Sequence, residues 1–291
     1  MGKLATTVDE QILLLEARGM ILDLSKDKVK EILMDIGYYR LGFYWHPFEK
    51  NKAHEFEENT KFSDVVSLYY LDVDLRHLLL KYLNRFEIHF RTQVIYIVSN
   101  YYKQSPTWFA DSHIMQNSFI YNLKNNYYTE QFINQNKAIK KHHEKHINDR
   151  FAPAWKTLEF LPFGSILAIF RALKNKKCQE SISIQYGVRN VQIFKDYIKT
   201  LLTLRNICAH GGQLYDFKTP KGIPKIPKLN LLDNDRHSLN GVFKLLYFML
   251  DSISSSRRNE LKQCITELLS ENANNDKLKH IIETKIGYKF V

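Results

Sequence analysis

The chain has 291 residues, 44% of them hydrophobic and 25% charged, with a net charge of +11. That length supports one large domain or two small ones with a sizeable core, and the composition excludes a disordered, collagenous or disulfide-rich class. A basic balance points toward a polyanionic partner and says nothing about fold.

Glycine and proline are scarce, 11 and 7, and the long segments carry helical spacing. The pattern predicts helices at about 8–18, 26–36, 62–80, 83–102, 116–147, 164–174, 190–210, 236–254, 257–270 and 274–284. Leu75, Leu79, Tyr82, Phe86, Phe90, Val94 and Ile97 form one stripe, and Val191, Phe194, Ile198, Leu201 and Cys208 form another. No stretch alternates with period two for long enough to argue for a sheet. The expected fold class is therefore all-α. The segment YDFKTPKGIPKIPKL (215–229) has three prolines, one glycine and four lysines. It reads as a loop or extended arm, because proline stops helices.

The longest apolar runs, FLPFGSILAIF and GVFKLLYFML, are too short to span a bilayer. The start MGKLAT fits a loose myristoylation pattern, but no other feature points to a membrane. Cys178, Cys208 and Cys264 stand far apart without metal-binding spacing, so a reduced, cytoplasmic setting is expected.

Charge is uneven. Residues 171–230 hold twelve Lys/Arg and three Asp/Glu, a net +9. Within this basic region lies LLTLRNICAHGGQL (201–214). At about 100° per residue, Arg205 falls within the apolar stripe of its helix, and a buried charge needs a partner or an anion. Asn206 and His210 are i, i+4 and share a flank. His210 lies about 140° from Arg205, so the two converge only where the helix ends at Gly211–Gly212, or across an interface with a second copy. A salt bridge plus a capping residue would also account for an isolated arginine and histidine. Glu87 and Arg91, i, i+4 in NRFEIHFR, are candidates to partner Arg205.

Other constellations carry weaker signals. KKHHEKH (140–146) gathers three histidines, but the spacing is not that of HExxH and a solvated basic face accounts for it. Tyr39, Phe43 and Trp45 surround Arg40 in a segment that either packs or stacks on unpaired bases. No Walker loop, GxGxxG or GxSxG occurs.

RNICAH (205–210) is an Arg-x4-His motif late in an all-helical chain, and it resembles the signature of the HEPN superfamily of ribonucleases. LLEARGMIL (14–22), IGYYRLGFYWHPF (36–48), YYLDVDLRHLLLKYLNRFEIHFR (69–91) and APAWKTLEFLPFGSI (152–166) resemble, in order, the blocks of the Abi family, the abortive-infection proteins of the AbiD/AbiF type. The resemblance spans about residues 10–215 and departs after His210, where relatives often continue with aromatic-Asn-Arg and this chain has GGQLYDFKTPKG.

The resemblance implies a HEPN-type helical bundle at 56–291, with a Lys/Pro-rich arm at 215–229, behind an N-terminal helical segment at 1–55. It implies metal-independent endoribonuclease activity in phage defence, without a cofactor, with Arg205, Asn206 and His210 as catalytic residues and a homodimer as the working form. Expected RNA contacts are Arg40, Arg85, Arg91, Lys195, Lys199, Lys218, Lys221, Lys225 and Lys228. Expected partners are RNA as substrate and a regulatory small RNA. The alternative is a non-catalytic RNA-binding or scaffold protein that grips a structured small RNA.

Overall fold

The computed structural model describes residues 4–290. The myristoylation pattern at Met1–Lys3 lies outside them. The α-helices are α1 (Val8–Ala17), α2 (Lys26–Ile36), α3 (Tyr38–Trp45), α4 (Phe62–Tyr101), α5 (Asn117–Asn122), α6 (Glu130–Gln135), α7 (Lys137–Lys145), α8 (Ala154–Thr157), α9 (Phe163–Ala172), α10 (Lys176–Gln185), α11 (Val191–Ala209), α12 (Leu239–Asp251), α13 (Ser255–Asn272) and α14 (Asp276–Ile281). Extended pairing among the described residues is confined to isolated bridges, such as Ile21 with Lys61. The class is all-α.

The organising element is α4. Its 40 residues run about 60 Å at 1.5 Å per residue. Two helices were expected here, 62–80 and 83–102. Neither glycine nor proline falls between Phe62 and Tyr101, and the buried positions Leu75, Leu79, Tyr82, Leu83, Phe86 and Phe90 continue without a phase change. The stripe from Leu75 to Ile97 is thus one face of one helix. Around α4 pack α3, α9, α10, α11 and α13. The N-terminal segment joins the same body, with Leu41, Tyr44 and Phe48 buried.

The single helix expected at 116–147 is instead broken into pieces. A π-helical turn covers Leu123–Tyr127, and Thr129 then caps α6, its hydroxyl accepting from Phe132 N at 3.2 Å. Asn136 precedes α7. Short Asn and Thr side chains compete for backbone groups, favouring caps over helix interiors. Three helices went unforeseen, the four-residue α8 and the longer α3 and α10. α3 begins directly after Gly37, whose φ of +91° turns the chain out of α2. α10 starts at Asn175, whose side chain accepts from Lys177 N at 2.9 Å, inside a lysine-rich run that masked its apolar face.

The 215–229 segment is a loop, but no free arm. Leu214, Tyr215, Phe217, Ile223 and Leu229 are buried. Tyr197 donates its hydroxyl to Pro224 O at 2.6 Å, and Ile223 N donates to Arg236 O at 2.8 Å. Among the described residues, no helix is long and apolar enough to cross a membrane.

Candidate functional site

α11 begins at Asn190, whose side chain accepts from Gln192 N and Ile193 N at 2.9 and 3.1 Å. Its buried face is Phe194, Tyr197, Ile198, Leu201, Leu204 and Cys208, set against α4 and α9. The helix stops where the glycines predict. His210 is the C-cap and Gly211 has φ +66°. Gly212 N reaches back to Ile207 O at 2.8 Å, closing a Schellman turn that satisfies the last carbonyls. A Cβ on Gly212 would meet Ile207 Cγ2 at 2.9 Å, so both glycines are required by geometry.

Arg205 lies at the edge of the buried face, its side chain 29% exposed. Its Nε sits 3.2 Å from Glu87 Oε2, and its Nη1 donates to Asn206 Oδ1 at 3.3 Å. Glu87 also accepts from Arg91 Nη2 at 3.0 Å, and Arg91 donates to Leu161 O at 3.1 Å. Glu87 is thus the carboxylate that the embedded arginine requires. Asn206 and His210 are exposed. The motif thereby separates into a paired cation on one flank of α11 and an open amide and imidazole on the other.

Behind the motif lies a cluster that was not foreseen. The Asp72 carboxylate accepts from Leu214 N at 2.9 Å, Tyr215 N at 2.7 Å and Tyr44 Oη at 2.9 Å, and pairs with Arg76. Arg76 donates onward to Gly212 O at 3.1 Å. Arg40 donates to Gly211 O, and Tyr215 Oη donates to Phe43 O at 2.8 Å. Burial pushes the Asp72 carboxyl up, and Arg76, the Tyr44 hydroxyl and the two backbone N–H groups oppose that rise. Burial also pushes the Cys208 thiol up to about 12. The signal was present in YYLDVDLRH: an Asp and an Arg, i, i+4, both at apolar-stripe positions of α4.

The expected RNA contacts divide. Arg91 is 8% exposed and committed to Glu87 and Leu161. It is a structural cation, and its assignment to an RNA surface is withdrawn because its donors point inward. Arg40 holds the Gly211 carbonyl. Lys195 is half-buried, donating to Gln179 Oε1 at 3.2 Å. Arg85 is exposed beside His89, whose imidazole is held below its ordinary value by burial and then by the Arg85 charge. Lys199, Lys218, Lys221, Lys225 and Lys228 are exposed. Of these, Lys225 pairs with Asp233 at 2.7 Å, Lys221 with Asp196 at 3.5 Å and Lys218 with Asp216 at 3.8 Å. Tyr39 is 81% and Phe43 41% exposed, whereas Trp45 is buried.

The histidines of 140–146 have separate tasks. His142 Nε2 lies 3.0 Å from Asp149 Oδ2, and His143 Nε2 lies 2.8 Å from the Tyr128 hydroxyl. Among the described residues, no group of three His, Cys, Asp or Glu side chains is placed to hold a metal ion.

A family model described as Abi-like protein matches residues 31–216. The match takes in α3, the whole of α4 and α11, the Asp72 cluster and the Arg-x4-His motif. No curated protein matches the chain, and no solved structure does. Membership supports a general role in abortive infection, that is, in defence. With well over half of its length inside that model, the chain belongs to the Abi-like protein family.

Proposed function

We propose that this protein is a metal-independent HEPN-type endoribonuclease of abortive infection, using Arg205, Asn206 and His210. The observation that carries the reading is His210: an exposed imidazole on a helix end whose following backbone is pinned by Arg40, Arg76 and Asp72. A group meant only to cap a helix has no need of the buried Asp72–Arg76 pair behind it.

RNA supplies its own nucleophile, the 2′-hydroxyl. Cleavage requires a base to take that proton, an acid to protonate the departing 5′-oxygen, and a cation for the phosphorane. Imidazole serves as acid or base near neutral pH. Arginine presents a planar, permanently charged fork to phosphate. In Arg205 the Nε edge faces Glu87 and Nη1 reaches Asn206, so Glu87 sets the guanidinium plane while its outer edge stays open to solvent. The products are a 2′,3′-cyclic phosphate and a 5′-hydroxyl. In an in-line displacement the attacking 2′-oxygen and the departing 5′-oxygen lie on opposite sides of the phosphorus, where one fixed imidazole does not reach both, so two copies of the chain are assigned to one working site.

One observation favours the second reading, a non-catalytic RNA-binding protein: Glu87 already neutralises Arg205, as in an ordinary structural pair. The test is cleavage of generic single-stranded RNA by pure protein in EDTA, beside His210→Ala. Loss of roughly 10²–10⁴-fold in rate is expected. If the variant cuts RNA as fast as the unmodified protein, the binding reading replaces the enzyme.

A further inference from the structure

Two hollows open on the solvent side of α11. One lies between the helix and the 215–229 loop and is lined by Lys199, Thr203, Phe217 and Lys221. The other lies between α11, α5 and α9 and is lined by Lys199, Leu202, Thr203, Arg171 and Asn206. Lys199 and Thr203 belong to both, so the hollows lie side by side across that row of α11, and the two together make up a trough with the row running through it.

The helix phase adds a direction. At 100° per residue, Lys195, Lys199, Thr203, Asn206 and His210 fall within an arc of about 80°. The row that the two hollows share therefore lies on the stripe of α11 that continues past Asn206, the last α11 residue lining either hollow, to His210 one turn on. Arg205 lies outside that arc, toward Glu87. From Lys199 to Asn206 the stripe advances about 10 Å.

The charge along the trough is one-sided. Asp196 is the one carboxylate lining either hollow, and it faces Lys221 at 3.5 Å. Arg171 and Lys199 have no carboxylate partner among the described residues. Cations crowd there as well: burial, and then the charges of Arg171 and Lys176, hold the Lys195 ammonium below its ordinary value. Like charges gathered without counter-charges destabilise the empty protein, and a bound anion reverses that cost. Between the cations the lining is apolar, with Leu202 half-buried at the surface and Leu167 and Phe217 buried beneath it. Cations alternating with apolar patches in a concave track suit a single strand, with phosphates on the charges and base faces on the apolar walls. A duplex turns its bases inward and cannot use such walls.

Resting on the RNA reading above, we infer that the trough along α11, from Lys221 past Lys199 and Arg171 to Asn206, is the groove that leads single-stranded RNA to His210.

The test measures binding by fluorescence anisotropy, with a labelled 12-nucleotide oligouridine and its duplex with oligoadenosine. His210→Ala is the background, so that nothing is cut. Arg171→Glu with Lys199→Glu should weaken single-strand binding at least tenfold. Arg171→Gln with Lys199→Gln, which removes charge without reversing it, should lower the slope of log affinity against log salt by about 1.4, near 0.7 for each lost contact. Lys52→Glu with Lys103→Glu, exposed lysines remote in sequence from the trough, should change affinity less than threefold. Unchanged single-strand affinity in both trough variants, a loss matched by the Lys52 and Lys103 variant, or tighter binding of duplex overturns the inference. The two readings fail separately. A His210→Ala protein that still cuts RNA removes the enzyme but leaves the groove. Trough variants with unchanged affinity remove the groove but leave His210 chemistry intact.

Discussion

α4 carries two carboxylate–arginine pairs at the same i, i+4 spacing, Asp72–Arg76 and Glu87–Arg91, and they end in opposite states. Asp72 is closed on every side, by a tyrosine, an arginine and two backbone N–H groups. Around Glu87, by contrast, Glu87 Oε2, Arg91 Nε and Arg205 Nε are buried without a well-aligned hydrogen bond. Arg205 lies within ion-pair distance of Glu87, but its N–H does not point along the lone pair. Buried polar atoms in native proteins are normally satisfied, and exceptions concentrate where a ligand or a chemical task completes them. One pair on this helix is therefore fully satisfied by its neighbours, whereas its twin, fifteen residues on, keeps buried polar atoms without aligned partners.

That contrast can be broken hardest at Asp72. Asp72→Ala leaves Arg76 as an unpaired buried cation and strips two backbone donors of their acceptor. A loss of about 3–5 kcal/mol in urea unfolding is expected. A loss below about 1 kcal/mol would mean that the support is redundant. Gly211→Ala comes next, because its φ of +66° costs an L-residue about 1–2 kcal/mol. Cleavage should fall further than stability does, since His210 shifts with the turn, and equal losses in both would show that the turn does no aiming. Arg205→Ala should cost about 1 kcal/mol or less, since Glu87 keeps Arg91 and the pair is partly exposed, yet cleavage should collapse. A large stability loss with intact cleavage would turn Arg205 into a second support. The smallest effect is chemical. With its thiol pushed up to about 12 by burial, Cys208 stays protonated at pH 8 and should resist alkylation, while the less buried Cys264 reacts. Mass mapping that finds Cys208 labelled first would show that the backing of the motif opens in solution.

The all-helical class was legible because apolar spacing holds over long stretches. The stop at Gly211–Gly212 was legible because glycine after a last turn has one common use. Arg205's need for a carboxylate followed from burial, with Glu87 or Arg91 named as candidates; the geometry selects Glu87. Other features were hidden for physical reasons. Asp72 and Arg76 stand on the apolar stripe of α4 and so require partners, but Gly212, Leu214 and Tyr215 supply them, and periodicity carries no information about contacts that distant. Arg91 looked like an RNA contact because charge was counted without orientation. Lys221 and Lys225 kept their exposure but gained Asp196 and Asp233 as partners, which a tally of lysines cannot foresee. Arg171 was passed over because its place beside Lys199 and Asn206 arises only from α9 packing beside α11.

The bond between Arg40 and the Gly211 carbonyl spans 171 positions, and that separation has a consequence for synthesis. A ribosome makes α3 and α4 long before it reaches the motif. Until Gly211 to Tyr215 emerge, Asp72 and Arg76 lack their backbone partners, and the turn that aims His210 does not exist. Loop closure over such a distance is slow compared with forming a helix. A nascent or truncated chain ending before Tyr215 can thus hold every residue of the Arg-x4-His motif and still lack the backing that positions His210. Completion of the chain to Tyr215 is therefore the step that assembles the motif's surroundings.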